Sequence, residues 1–266
     1  MKRVLTALVL IPLFILSVMA PNPLYFQALV VLAAIQCARE FGVIAAAGSA
    51  KPFGLLSLAW AGALAGWPSL PPAVGIDVLL AAGLLVLPPC AIFLRKDLRR
   101  ALLATAATIF AAIYTGFLLG YVAALRLADG GEGWRLVFLL TAGVWAGDTG
   151  AYYVGKTFGR HKLNAKVSPK KTWEGAAGNV AGSLAGTALV QAFLIPAMRP
   201  VHVVALGVSF AVVGMFGDLF ESVFKRGAGV KDSSRLLPGH GGLLDRLDSL
   251  FFAAPVLYYY HQVFLS

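Results

Sequence analysis

Four short stretches hold most of the side chains in this sequence that could do chemistry. They are "AGDTGAYYVGK" (146–156), "KVSPKKTWEG" (166–175), "FGDLFESVFKR" (216–226) and "KRGAGVKDSSRLLPGHGGLLDRLD" (225–248). Asp218, Glu221 and Ser222 are spaced i, i+3, i+4, so on a helix two carboxylates and a hydroxyl point the same way. Asp245 and Asp248 repeat the i, i+3 spacing at the expected start of the last helix, where acids also suit the positive helix N-terminus. With Asp148 these make up to five carboxylates, more than helix capping requires. Carboxylate oxygens suit hard divalent ions, and Mg²⁺ typically takes one or two of them plus substrate phosphate oxygens. The cations are as dense: Lys166, Lys170 and Lys171 in one segment, and Lys225, Arg226, Lys231, Arg235 and Arg246 in the other. Ser168-Pro169 reads as a turn, with Lys170 and Lys171 just ahead of a helix start at Thr172. "PGHGG" (238–242) surrounds His240 with backbone that can approach a ligand closely. Amide-lined turns beside cations favour phosphate.

The elements that must carry these groups are set by hydropathy. The 266-residue chain is 59% hydrophobic, with a mean hydropathy of +0.80, too apolar for one soluble globular domain. Crossing ~30 Å of hydrocarbon takes about 20 helical residues, whose backbone bonds must close within the segment. Nine such runs are expected: 4–20, 24–47, 53–70, 74–94, 101–125, 134–155, 175–197, 201–222 and 248–265. The fold class is therefore all-α, a polytopic membrane helix bundle with little chain left for a separate soluble domain. The first run resembles a signal peptide, but Pro21 after Ala20 and the later spans favour an uncleaved first helix.

Net charge is +10, which in a soluble chain could mean nucleic acid. Its placement points instead to topology: one orientation puts 18 of the 22 Lys/Arg on a single face. The positive-inside rule makes that face cytoplasmic, with the N-terminus inside and the C-terminus outside. All four polar stretches then meet at the cytoplasmic face. Residues 1–130 supply five spans without a catalytic motif. Residues 131–266 form a catalytic half with cytoplasmic loops 156–174 and 223–247. Arg39–Glu40, inside the second run, is either an intramembrane pair or a helix end. Cys37 and Cys90 lie in apolar surroundings without metal-like spacing. Small-xxx-small spacings at Gly62/Gly66, Gly116/Gly120, Gly143/Gly147 and Gly178/Gly182/Gly186 suit close helix packing within the chain.

Carboxylates for a divalent ion, cations for several phosphates and an adjacent bilayer imply an enzyme joining a nucleotide to a lipid. An ion-coupled transporter is the rival class, with Asp148 and Asp218 as intramembrane relays. Against it, the charges gather at one face and the halves show no inverted repeat. A nucleotide-dependent lipid kinase uses the same physics with a different phosphorus attacked.

Ser222, Lys225–Arg226, Lys231–Asp232, Ser234, Pro238, "HGG" (240–242), "DR" (245–246) and Asp248 resemble the signature of the phosphatidate cytidylyltransferases, without a departure from Ser222 to Asp248. "GDTGAYYVG" and "SPKKTWEG" are similar to the family's accompanying motifs, so the likeness covers about residues 140–250. The resemblance implies CTP and phosphatidic acid as substrates, CDP-diacylglycerol and pyrophosphate as products, and Mg²⁺ with room for a second cation. It implies an inner-membrane enzyme, a homodimer, at the entry to phospholipid synthesis. It also implies that Asp218 and Asp245 hold the metal. Asp148 and Asp248 extend that set as supporting ligands. Lys170, Lys171, Lys225 and Arg226 are then the phosphate contacts, and Ser222, Lys231, His240 and Arg246 complete the nucleotide side.

Overall fold

The computed structural model describes residues 2–71, 73–234, 236 and 241–265. His240, Arg235 and Pro238 lie outside the described residues. The chain is almost wholly helical: α1 Lys2–Met19, α2 Leu24–Ala47, α3 Gly54–Gly66, α4 Ile76–Leu94, α5 Leu98–Ala111, α6 Leu118–Leu127, α7 Trp134–Phe158, α8 Trp173–Leu194, α9 Pro200–Gly227 and α10 Leu244–Phe264. Among the described residues, five stretches are long and apolar enough to cross a membrane: Leu24–Ala47, Ile76–Leu94, Leu98–Leu127, Trp173–Leu194 and Pro200–Gly227. The expected spans 4–20, 53–70, 134–155 and 248–265 are not among these; over 53–70, α3 stops at Gly66 and "WPS" (67–69) turns in a 3₁₀ helix with Pro68 inside.

Among the described residues, one antiparallel ribbon departs from the helical fold. Lys162–Asn164 (β1) and Ser168–Thr172 (β2) pair as an antiparallel ribbon, in register Lys162 with Thr172 and Asn164 with Ser168. The turn expected at Ser168-Pro169 lies one step earlier. Asn164 Oδ1 accepts from Lys166 N and Val167 N, both at 3.1 Å, and this side-chain-to-backbone turn starts the hairpin. Pro169 is tolerated in β2 because a two-stranded ribbon is all edge.

The helices pack as two compact units, residues 1–124 with 224–247, and residues 125–223 with 248–266. In the first unit, Phe53, Trp60, Leu64, Leu87, Ala104 and Ala112 form a buried apolar cluster. Two polar groups beside it are paired: Trp60 Nε1 donates to Leu79 O at 2.9 Å, and Phe53 N to Thr108 Oγ1 at 2.9 Å. Residues Ala112–Phe117 make a π-helical turn between α5 and α6. That widened turn carries Gly116, where a Cβ would collide with the backbone of Ala61, so the glycine lets α3 approach closely. Phe41, Phe110, Tyr114 and Phe224 stack with centroids 5.0–6.3 Å apart and seat the start of the 224–247 segment.

In the second unit, α7 and α8 run against each other with almost no side-chain spacer. A Cβ on Gly178, Gly182 or Gly186 would strike the carbonyls of Gly150, Ala146 and Ala142 in turn. The small-xxx-small spacings therefore serve packing inside the chain, as expected. α9 and α10 meet as closely at Gly217, where a Cβ would strike Asp248 O.

Candidate functional site

Within the second unit, three helices bring acids together. Asp148 stands in α7, Asp218 and Glu221 in α9, and Asp248 in the first turns of α10. The Asp248 carboxyl lies within the electrostatic reach of Asp218, Glu221 and Asp148, and its Oδ1 accepts from Ser249 N at 2.7 Å. Glu221 is fully buried and Asp248 nearly so. On α9, Asp218 is partly exposed, whereas Glu221 and Ser222 are both buried.

The hairpin delivers the first cation to this cluster. Lys171, at the end of β2, reaches Asp218 Oδ2 with Nζ at 2.8 Å, and both side chains are partly exposed. Its neighbour Lys170 points to the exposed side of the ribbon. Two contacts that the residue pattern did not single out fix the ribbon. Thr172 Oγ1 accepts from Gly175 N at 3.1 Å and caps α8. Glu174 accepts from Arg160 N at 3.1 Å and from His161 N at 3.2 Å, and pairs with His161 Nδ1 at 2.6 Å. The legible signal is Thr172 at a helix start, where a hydroxyl satisfies an N-terminal amide.

In the first unit, the 224–247 segment has its own ion pair. α9 continues to Gly227, so Lys225 and Arg226 stand on the helix end rather than in a loop. Lys225 Nζ meets Asp245 Oδ1 at 2.7 Å, with both side chains largely buried. Asp245 Oδ2 accepts from Gly242 N at 2.8 Å, Ser233 Oγ at 2.9 Å and Ser233 N at 3.1 Å. Arg226, Lys231 and Arg246 are exposed on the same segment. Glu40, placed by the sequence in a pair or at a helix end, sits inside α2 and takes its hydrogen bonds from Ser233, Ser234 and the start of α10.

Among the described residues, no three acids, histidines or cysteines converge closely enough to hold a metal by themselves. The donor set therefore does not fit an all-protein cage. It does fit an ion such as Mg²⁺, which uses one or two carboxylates and completes its shell with water and phosphate.

Comparison with known proteins extends beyond these motifs. The profile of the cytidylyltransferase family matches residues 1–264. The chain is 42% identical over 144 residues to a phosphatidate cytidylyltransferase of Mycobacterium bovis, covering 54% of this chain and 46% of the relative. It is 46% identical over 134 residues to the phosphatidate cytidylyltransferase of Haemophilus influenzae, covering 47% and 44%. With that of Brucella suis it shares 42% over 186 residues, 70% of this chain and 67% of the relative. Against the first two, the match spans under half of the relative's own length.

Proposed function

The chain belongs to the cytidylyltransferase family, and on that premise we propose that it transfers the cytidylyl group of CTP to phosphatidic acid, forming CDP-diacylglycerol and pyrophosphate. The observation that carries this reading is the family match across residues 1–264, which includes both the acidic cluster and the basic segment.

The chemistry asks little of side-chain nucleophiles. A phosphomonoester has a second pKa near about 6, so the lipid phosphate is already dianionic for the most part near pH 7. One of its oxygens attacks the α-phosphorus of CTP. The bond from that phosphorus to the bridging oxygen breaks, and its electron pair leaves on pyrophosphate. No proton must be taken from the nucleophile, so neither Ser222 nor His240 needs to be a base. The work is positioning and charge stabilisation.

Lys170, Lys171, Lys225 and Arg226 serve the phosphates in this reading. Lys231, His240 and Arg246 complete the nucleotide side with Ser222. The ion pairs Lys171–Asp218 and Lys225–Asp245 hold two of these cations in place within their own units. Asp218 and Asp245 are the proposed Mg²⁺ carboxylates, supported by Asp148 and Asp248, with a second cation compatible with so many acids. When bound, Mg²⁺ supplies a charge clamp for the leaving pyrophosphate.

The same reading takes nine crossings, with the N-terminus and the site on the cytoplasmic side of the inner membrane and the C-terminus outside. It takes the enzyme as a homodimer. The long apolar helices support the membrane setting, and the excess of Lys/Arg in alternate connections supports the orientation.

Purified protein in detergent with phosphatidic acid, Mg²⁺ and CTP labelled at the α or γ phosphate tests the reaction. Entry of the α label into lipid, with γ label in pyrophosphate, supports cytidylyl transfer. Entry of the γ label into lipid means a kinase. No transfer from folded, metal-supplied protein returns the question to a transporter.

A further inference from the structure

Glu40 is almost fully buried in α2, an apolar helix of the half that carries no motif. A carboxylate in such a place is costly unless its oxygens are bonded. Five donors surround it. Oε1 accepts from Gln36 Nε2 at 2.9 Å, Ser234 Oγ at 2.7 Å and Leu243 N at 3.1 Å. Oε2 accepts from Ser233 Oγ at 3.0 Å and from Leu244 N at 2.8 Å. Four of the five come from the 233–244 stretch, two of them being amides at the start of α10. The arrangement is a helix cap supplied from another part of the chain, with charge-assisted bonds.

Only one hydroxyl separates Glu40 from Asp245. Ser233 Oγ lies 3.0 Å from Glu40 Oε2 and 2.9 Å from Asp245 Oδ2, and its single proton serves the two carboxylates. Asp245 in turn grips Lys225 at 2.7 Å. The crossing is tight: a Cβ on Gly242 would strike both Ser233 Oγ and Glu40 Oε2. Glycine is therefore required there by space. Gly241 beside it has φ +82°, which favours glycine by conformation.

We infer that Glu40 is a positioning residue for the nucleotide segment, fixing the Lys225–Asp245 pair through Ser233, Ser234 and the first amides of α10. The inference rests on the function proposed above, since it assigns Glu40 to the CTP side of that reaction. A mere structural prop would affect how much protein folds. A positioning residue changes how well the folded protein takes CTP.

The test uses the full chain in detergent with phosphatidic acid and CTP. Glu40→Gln keeps the shape but replaces one acceptor oxygen with an NH₂ group facing donors. Bonds to a charged acceptor are among the stronger ones, so the KM for CTP should rise about 10- to 100-fold. The KM for phosphatidic acid should stay within about twofold, because the changed contacts lie on the nucleotide segment. Amide hydrogen exchange over 231–244 should quicken in the same variant. Ser234→Ala removes one donor and should move both readouts the same way by a smaller factor, so it decides the matter if Glu40→Gln does not fold. Unchanged KM for CTP with unchanged exchange in the folded variant overturns the inference. An equal rise in both KM values overturns it too, as a general loss of the site. If the unaltered chain transfers no cytidylyl group, the proposed function fails. The exchange comparison then still decides whether Glu40 orders the segment.

Discussion

Replacing Asp218 with Asn separates fold from chemistry, because the structure gives this carboxylate a small share in stability. Its ion pair with Lys171 is close, at 2.8 Å, but the side chains are 39% and 22% exposed. Bare Coulomb attraction at that distance and an effective dielectric near 20 is about 6 kcal/mol. Solvent screening and the entropy of holding a lysine reduce pairs this exposed to about 0.2–1 kcal/mol. Asp218→Asn should therefore lower the thermal midpoint of purified protein by no more than about 4 °C. Its effect on turnover should be of another order. If Asp218 is a metal carboxylate, its loss should cost at least about 100-fold in kcat, the scale seen when one preorganised electrostatic partner is removed. The assay is release of pyrophosphate at saturating CTP and phosphatidic acid, with Mg²⁺ titrated well above the wild-type optimum. Lys171→Met is the control on the other partner: the midpoint should move as little, while the KM for CTP rises. A near-wild-type rate for Asp218→Asn at saturating Mg²⁺ would refute the assignment. A loss of activity that tracks a large loss of folded protein would refute the energetic reasoning.

Two further perturbations test how the elements are held. Thr172→Ala removes the Oγ1 that accepts from Gly175 N, so α8 should lose about 0.5–2 kcal/mol, read as a lower unfolding midpoint. Gly182→Ala puts a methyl against the Ala146 carbonyl in the α7–α8 contact, and the overpacking should cost about 1–3 kcal/mol. Gly227→Ala, where a Cβ meets nothing within 4 Å, is the matched control and should be nearly silent on the same measurement.

How much of the fold and the site is legible in the sequence depends on the range of the contacts. The apolar helices are legible, because hydropathy and backbone satisfaction are local. So are the i, i+3 acids of α9 and the start of α8 at Thr172, for the same reason. The hairpin at 162–172 is not. Its residues are polar and lysine-rich, and the signal for its turn is one side chain, Asn164, bonding two amides ahead. The helix ends at Gly227 and Leu244 differ from the expected ones because dense charge suggests loop, whereas Lys225 and Asp245 sit on helices and pair with each other. The shortness of α3 is hidden too, since Trp67 and Leu70 keep the run apolar past the point where Pro68 turns it.

Glu40 shows the limit most clearly. As a lone acid in an apolar run it stands out only as an anomaly, since its partners lie up to 204 residues away. Energetics alone nonetheless narrow the range of partners it can have. A buried carboxylate must find several donors, and α2 itself supplies it with the bond from Gln36. The donors must then come from a segment rich in hydroxyls and open amides. Ser233, Ser234, Gly241 and Gly242 belong to such a segment, and they pack in the same unit as α2. The first helices are therefore more than a membrane anchor for the motifs that follow. They contribute the charge that shapes the segment on which the proposed nucleotide chemistry depends.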